Sequence, residues 1–231
     1  MKNVTKNIIF LILLLFIFTG CSGTSEEDNK DKMNQKALSE LQYVEDDIFN
    51  ITNKYAKGEY IKDDELDWNA ILEDEKKINE VLETIILDLT EVNISKEDLV
   101  TLSAEFNNLL TITIAKNEPE LLPRLQNVYS LVPKYLNQFS DNKSDIKDKE
   151  LKSIVLSSYA FANNDDWEQA KSTIQTGIDK YNEMMNDVSY VQEKSYSLNR
   201  VYVLLGEVKN AIDVENLELL KLKYVNFIEK L

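Results

Sequence analysis

Three kinds of residue in this chain could do chemistry. The first is Cys21, the only cysteine. It follows Thr19 and Gly20 at the close of an unbroken apolar run, Ile8 to Phe18, and a polar stretch comes after it. A thiol there can take up a diacylglyceryl group, and small side chains before it let a peptidase approach the backbone. The second kind is acid. Asp and Glu number 41, with Asp63, Asp64 and Glu65 clustered and Glu75 set on an otherwise apolar helical seam. The third is aromatic and guanidinium: Trp68 and Trp167, the only tryptophans, with Tyr181 and Arg200 make up a candidate ligand groove. Histidine is absent, which removes the commonest general base and metal ligand.

Lys2 and Lys6 precede the apolar run, and this order is that of a cleaved signal peptide. The run is 11 residues long, whereas a stable membrane-spanning helix needs roughly 20. A permanent transmembrane anchor is therefore the poorer explanation. Phe18-Thr19-Gly20-Cys21 resembles the lipobox of bacterial lipoproteins, in which an aliphatic residue, a small residue and Gly or Ala precede the lipidated cysteine. Thr19, Gly20 and Cys21 match, and Phe18 stands where Leu is usual. The resemblance implies that residues 1–20 are removed and that Cys21 carries the lipid, palmitate included. It also implies a mature chain held on the extracytoplasmic face of the cell membrane. Each buried methylene contributes about 0.8 kcal/mol, so two acyl chains hold stably. With Cys21 consumed, no disulfide can form within the chain. Roughly 200 residues remain, enough to be held together by a core alone.

Loss of Lys2 and Lys6 with no acid moves the net charge from −15 to −17. A nucleic-acid binder needs a basic surface, so that class is excluded. Such a surface does not adhere to an anionic membrane face, which leaves membrane affinity to the lipid. The acidity suits a basic envelope protein or a cationic ligand as partner, or serves only as a solvated surface. Glycine and proline are scarce and apolar residues recur at helical spacing, which points to an all-α fold.

The expected organisation is a helical bundle of about eight helices in two similar four-helix halves. Residues 21–34 read as a flexible tether, 35–139 as the first half, 140–145 as a linker and 146–231 as the second half. A first helix over 35–57 presents Leu38, Leu41, Val44, Ile48, Ile51 and Tyr55 on one stripe, with Gly58 placed as its cap. An acidic loop, 59–67, lacks the alternating ligands and glycine of an EF-hand, so no calcium site is read there. Ile71, Ile78, Ile85 and Val92 recur every seven residues in the second helix. Glu75 interrupts that helix's other seam; it reads either as a functional buried acid or, the favoured reading, as an acid at a frayed or solvent-lined end paired with a lysine. Ser95 opens a third helix that turns Leu99, Leu102, Phe106, Leu109 and Thr113 inward. Pro119 starts a fourth, which must kink or end at Pro133. A fifth helix is expected over 146–163 and a sixth, capped by Asp165 and Asp166, over 167–187. Ser189 should open a seventh with Leu198, Val201, Tyr202, Leu205 and Val208 inward, and Asp213 should cap the eighth.

Asp67-Trp68 and Asp166-Trp167 each open a long helix, and the landmarks of the two halves lie 94 to 99 residues apart. This suggests an internal duplication. Asn164 to Ala170 looks like the middle of a tetratricopeptide hairpin, but the 34-residue period of that family is not sustained. The second half is more similar to a family of helical domains from bacterial envelope proteins, on Asp166, Trp167 and Ala170. Tyr181 stands where that family has a second tryptophan. The resemblance implies a fold and no activity.

The tryptophans also serve simply as plugs of a four-helix core. Arg200 is expected to close a salt bridge within the chain rather than to clamp an anion. No catalytic constellation, metal site or cofactor site is read. The functional expectation is a non-enzymatic, lipid-anchored interaction or ligand-binding module. The alternative is an envelope enzyme that uses acidic residues or a divalent metal.

Overall fold

A computed structural model describes residues 26–231. The expected signal peptide, Cys21 and the first part of the expected tether lie outside the described residues. The protein is all-α, with nine helices and one two-stranded hairpin among the described residues. The helices are α1 (Glu26–Ala56), α2 (Trp68–Glu91), α3 (Lys96–Ile114), α4 (Glu118–Phe139), α5 (Lys143–Asn163), α6 (Trp167–Met184), α7 (Val188–Lys194), α8 (Leu198–Asp213) and α9 (Leu217–Lys230). The strands β1 (Ile61–Lys62) and β2 (Glu65–Leu66) fill the α1–α2 connection.

Helices α1, α2, α3 and α4 each pack on the next, and α4 closes back on α1. Helices α5, α6, α8 and α9 repeat this pattern, with α9 closing on α5. The two rings meet along α4–α5 and α1–α9. The expected four-helix halves are thus present. Their inner surfaces hold the stripes read from the sequence: Leu41, Val44, Ile48 and Ile51 on α1, Ile71, Ile78 and Ile85 on α2, and all five inward residues of α3 are buried.

The turns show how short connections enforce this packing. Lys116, Asp165 and Glu215 each follow a helix in the left-handed region, with φ of 54°, 59° and 51°. The next residue's amide reaches back to Ile112, Phe161 and Ala211 carbonyls respectively, which satisfies the helix end. Asn117, Asp166 or Asn216 then begins the following helix. These turns sit 49 and 50 residues apart, so the unit that recurs is the helical hairpin, two to each half.

Several boundaries differ from expectation for local reasons. Helix α1 begins at Glu26 rather than 35, although residues 29–32 are exposed. Propagation from a packed segment costs little. The linker shrinks to 140–142 because Asn142 caps α5, accepting from the Asp145 amide at 3.0 Å. Helix α4 does not end at Pro133 but runs on to Phe139. Pro123 also lies inside it and leaves the Pro119 carbonyl without its helical donor; the Asn164 side chain supplies one at 2.7 Å. The expected seventh helix is two, α7 and α8, parted at Ser195–Ser197. Asp187 rather than Ser189 caps α7, and Asn216 rather than Asp213 caps α9. Tyr202 faces solvent, since α8 turns Leu204 inward instead.

The seam between the halves is polar at its centre. Glu45 on α1 is 5 % exposed and pairs with Lys149 on α5, itself 6 % exposed. Lys152 approaches the same carboxylate at 3.3 Å, and the Tyr129 hydroxyl of α4 donates to the Lys149 carbonyl at 3.2 Å. Nearby, the Tyr224 hydroxyl of α9 donates to Thr52 of α1 at 2.8 Å. Removing Lys149 leaves the buried Glu45 carboxylate with only the longer ion-pair contact to Lys152, an under-compensated interior charge. Lys149→Met is expected to lower the unfolding free energy by about 3 kcal/mol, and Glu45→Leu added to it should restore most of that loss. Urea unfolding of the single and double variants checks both.

Candidate functional site

The candidate residues fall in different places. Trp68 and Trp167 are the first residues of α2 and α6, each following an aspartate cap. Asp67 accepts from the Ala70 amide at 3.1 Å and Asp166 from the Gln169 amide at 3.2 Å. Both rings are half-buried against the core. Tyr181 is 4 % exposed, and its hydroxyl donates to the Leu198 carbonyl at 2.7 Å. It ties α6 to α8 and offers no surface to a ligand. Arg200 is exposed and lines a depression between α8 and α9, with Val203, Glu207 and Asn226. Its expected salt bridge does not form among the described residues. Trp68 lines another depression, which shares no lining residue with that of Arg200. The four residues do not build one groove.

The structure instead draws attention to the end of the bundle where α1 finishes and α2 starts. Gly58, at φ 71°, ends α1 as expected, and the amide of Glu59 bonds the Lys54 carbonyl at 2.8 Å. The chain then forms the β-hairpin, with Ile61 opposite Leu66 and Lys62 opposite Glu65. Asp63 and Asp64 make its turn with φ of 53° and 67°. Positive φ at both central residues is the primed turn that matches strand twist, and aspartate tolerates it. Sequence reading expected only a loop here. The signal was the residue pair Asp63-Asp64 between short alternating stretches, too brief to weigh against helix on either side.

Tyr60 fastens the hairpin. It is buried, and its hydroxyl donates to Asp74 at 2.7 Å, while the Asp67 amide bonds the Tyr60 carbonyl at 2.7 Å. Lys54 and Lys77 reach Asp74 at 2.7 and 2.6 Å. Burial by itself would raise the Asp74 carboxyl, but the hydrogen bonds from Lys54, Lys77 and Tyr60 together outweigh it and bring the group down to about 2. Burial, then the hydrogen bond to Asp74, pushes the Tyr60 phenol far up. Between the hairpin and the α3–α4 turn opens a groove of about 400 Å³, lined by Leu66, Trp68, Asp63, Glu65, Glu73 and Lys116 among others.

Glu75 lies on α2 and is 1 % exposed. It has no lysine partner, contrary to expectation. The heptad continues on both sides of it, through Ile71 and Ile78, so position 75 is interior rather than at an end. Its Oε1 accepts from the Thr113 hydroxyl at 2.6 Å, and Oε2 is buried with no partner. The Glu75 charge adds a smaller upward push to the Tyr60 phenol. Burial raises the carboxyl to about 7, against the Thr113 hydrogen bond. The other buried acids are compensated: Asp88 by Lys36, Asp148 by Lys194 and the Tyr190 hydroxyl, Asp74 and Glu45 as described.

No protein-family model, curated protein or solved structure matches the chain.

An acid raised in the folded state binds its proton more tightly there than in the unfolded chain. The stability this adds is complete below an unfolded value near 4.5 and is lost as pH rises through about 7. Glu75→Gln is therefore expected to flatten the fall in stability between pH 5 and 7. At pH 8 it should raise the unfolding free energy by about 2 kcal/mol, the full shift discounted for the amide hydrogens left unpaired. Chemical denaturation across pH 4.5 to 8 checks this; a parallel curve for the variant would contradict it.

Proposed function

We propose that this protein is a bacterial lipoprotein, cleaved before Cys21 and held by lipid at the extracytoplasmic face of the membrane. There it acts as a non-enzymatic helical interaction module. The observation that carries the reading is the order Lys2, Lys6, Ile8–Phe18, Thr19-Gly20-Cys21. A cationic start, an apolar run too short to span, and small residues before one cysteine are what export, cleavage and acylation each require.

The structure is consistent with a domain carried on a short leash. Helix α1 starts five positions after Cys21, so the four residues between them reach about 14 Å at most. No helix among the described residues is long and apolar enough to cross a membrane. Membrane attachment would then rest on the lipid. The acidic helical body would meet its partner beyond the headgroups, and a basic envelope protein is the partner its charge suits best.

Cys21→Ser is expected to abolish acylation. The protein should then appear in the medium or the soluble extracytoplasmic fraction, or remain as an uncleaved precursor beginning at Met1. Fractionation with intact-mass measurement distinguishes these from the native form. Normal processing with undiminished membrane retention would refute the lipid anchor.

A further inference from the structure

We propose that the groove between the β-hairpin and the α3–α4 turn docks a cationic peptide segment of a partner protein. That segment carries an apolar side chain beside its lysines or arginines. The inference rests on the reading of the chain as an interaction module and names the surface that does the binding.

The first observation is surplus chain. Three residues suffice to join α3 to α4, α5 to α6 and α8 to α9. The α1–α2 connection uses eleven, 57–67, and spends them on a hairpin that forms one wall of the groove. The ring of α1 to α4 does not need this wall to close. Tyr60 and Asp74 nevertheless hold its base rigidly, so the wall is presented in a fixed position.

The second is the state of the acids. The buried acids of the bundle, Glu75 apart, are matched with lysines. Asp63, Glu65 and Glu73 on the groove are in no ion pair among the described residues, and outnumber Lys62 and Lys116 there. Interspersed with them are apolar surfaces, Leu66 and the half-buried Trp68 in the groove and Ile61 and Ile114 beyond it, 50 % and 69 % exposed. A cation entering this site meets free carboxylates beside the Trp68 ring that lines the groove, and aromatic rings attract cations as well. Its apolar neighbour covers Leu66 and the exposed isoleucines. An anionic ligand would meet repulsion from the same groups.

The third is position. Helix α1 has 31 residues, about 46 Å at 1.5 Å per residue. The groove lies at the end of this helix away from Glu26. Tyr55 bonded to Glu118 and Asn164 to the Pro119 carbonyl show that the α3–α4 and α5–α6 turns share that end.

The test uses the full chain with Trp167→Phe, so that Trp68 alone reports, and the peptide acetyl-Lys-Leu-Lys-Leu-Lys-amide as probe. Calorimetry on the chain with both tryptophans guards against an effect of that substitution. Saturable change in Trp68 emission is expected. Glu65→Lys with Glu73→Lys should weaken binding at least tenfold. Glu183→Lys with Glu193→Lys, the same charge change on exposed and unpaired residues of α6 and α7, should change it less than twofold. Equal weakening by the two pairs would show only general attraction to an acidic protein and overturn the proposal. Absence of a Trp68 response would do the same, as would an equal response to calcium chloride. None of these results bears on anchoring, which the Cys21→Ser fractionation decides separately.

Discussion

The pair between Glu45 and Lys149 is the contact on which the arrangement of the two halves depends. The buried apolar residues of the two rings run together into one core, and apolar contact by itself tolerates shifts in alignment. A carboxylate and an ammonium removed from water accept only one register. Lys152 and the Tyr129 hydroxyl complete the coordination, so that one cluster fixes α1, α4 and α5 at once. Tyr224 on Thr52, and the rings of Tyr159 and Tyr224 stacked at 4.6 Å, extend the same seam to α9. The desolvation cost of such a cluster makes it a poor source of stability compared with apolar residues. Its value here is in choosing one alignment of two similar, otherwise greasy bodies.

The same logic governs the other interior acids. Asp74 joins α1 to α2 through Lys54, Asp88 does so again through Lys36, and Asp148 secures α7 to α5 through Tyr190. Each sits where two elements must meet in register. Glu75 breaks the rule. It bridges α2 and α3 only by the Thr113 hydroxyl, and when ionised it holds an unshared charge in the interior. Protonated, it is a neutral hydrogen-bonding group, and the α2–α3 contact loses its electrostatic penalty. The first half is therefore the one whose cohesion varies with pH near neutrality.

Much of this was legible beforehand. The stripes on the first three helices, the caps at Asp67, Ser95 and Asp166, and the glycine at position 58 follow from local rules. A helix's apolar face and its end groups are set by residues a turn apart. The misreadings have the opposite character. Glu75 looked like an end position because one seam residue gives no measure of how deeply its helix is embedded. Tyr181 looked like a ligand platform because its type was visible and the Leu198 carbonyl that takes its hydroxyl was not. Helix α1 extends over a stretch with no apolar residue, since elongation is decided by the packed segment downstream rather than by local composition. The lysine partners of Glu45 lie 104 and 107 positions away, and nothing in local spacing could have named them.

At one end of the bundle the chain carries more than the packing rules require. Helix length, short turns and paired acids account for the body, in which nearly every buried charge has a partner. The hairpin is needed by none of these. It keeps two consecutive aspartates in the left-handed region, and each such residue stores strain unless its surroundings compensate it. It also leaves Ile61 exposed beside three groove carboxylates that are in no ion pair among the described residues. Exposed unpaired acids occur elsewhere too, Glu183 and Glu193 among them; here they stand beside Leu66, Trp68 and a wall fastened by Tyr60 and Asp74. The depression beside Arg200 lacks that character. It is bordered by Lys230 and by Glu207, which Lys223 already approaches at 3.3 Å, and it is walled by two helices that pack on each other in any case.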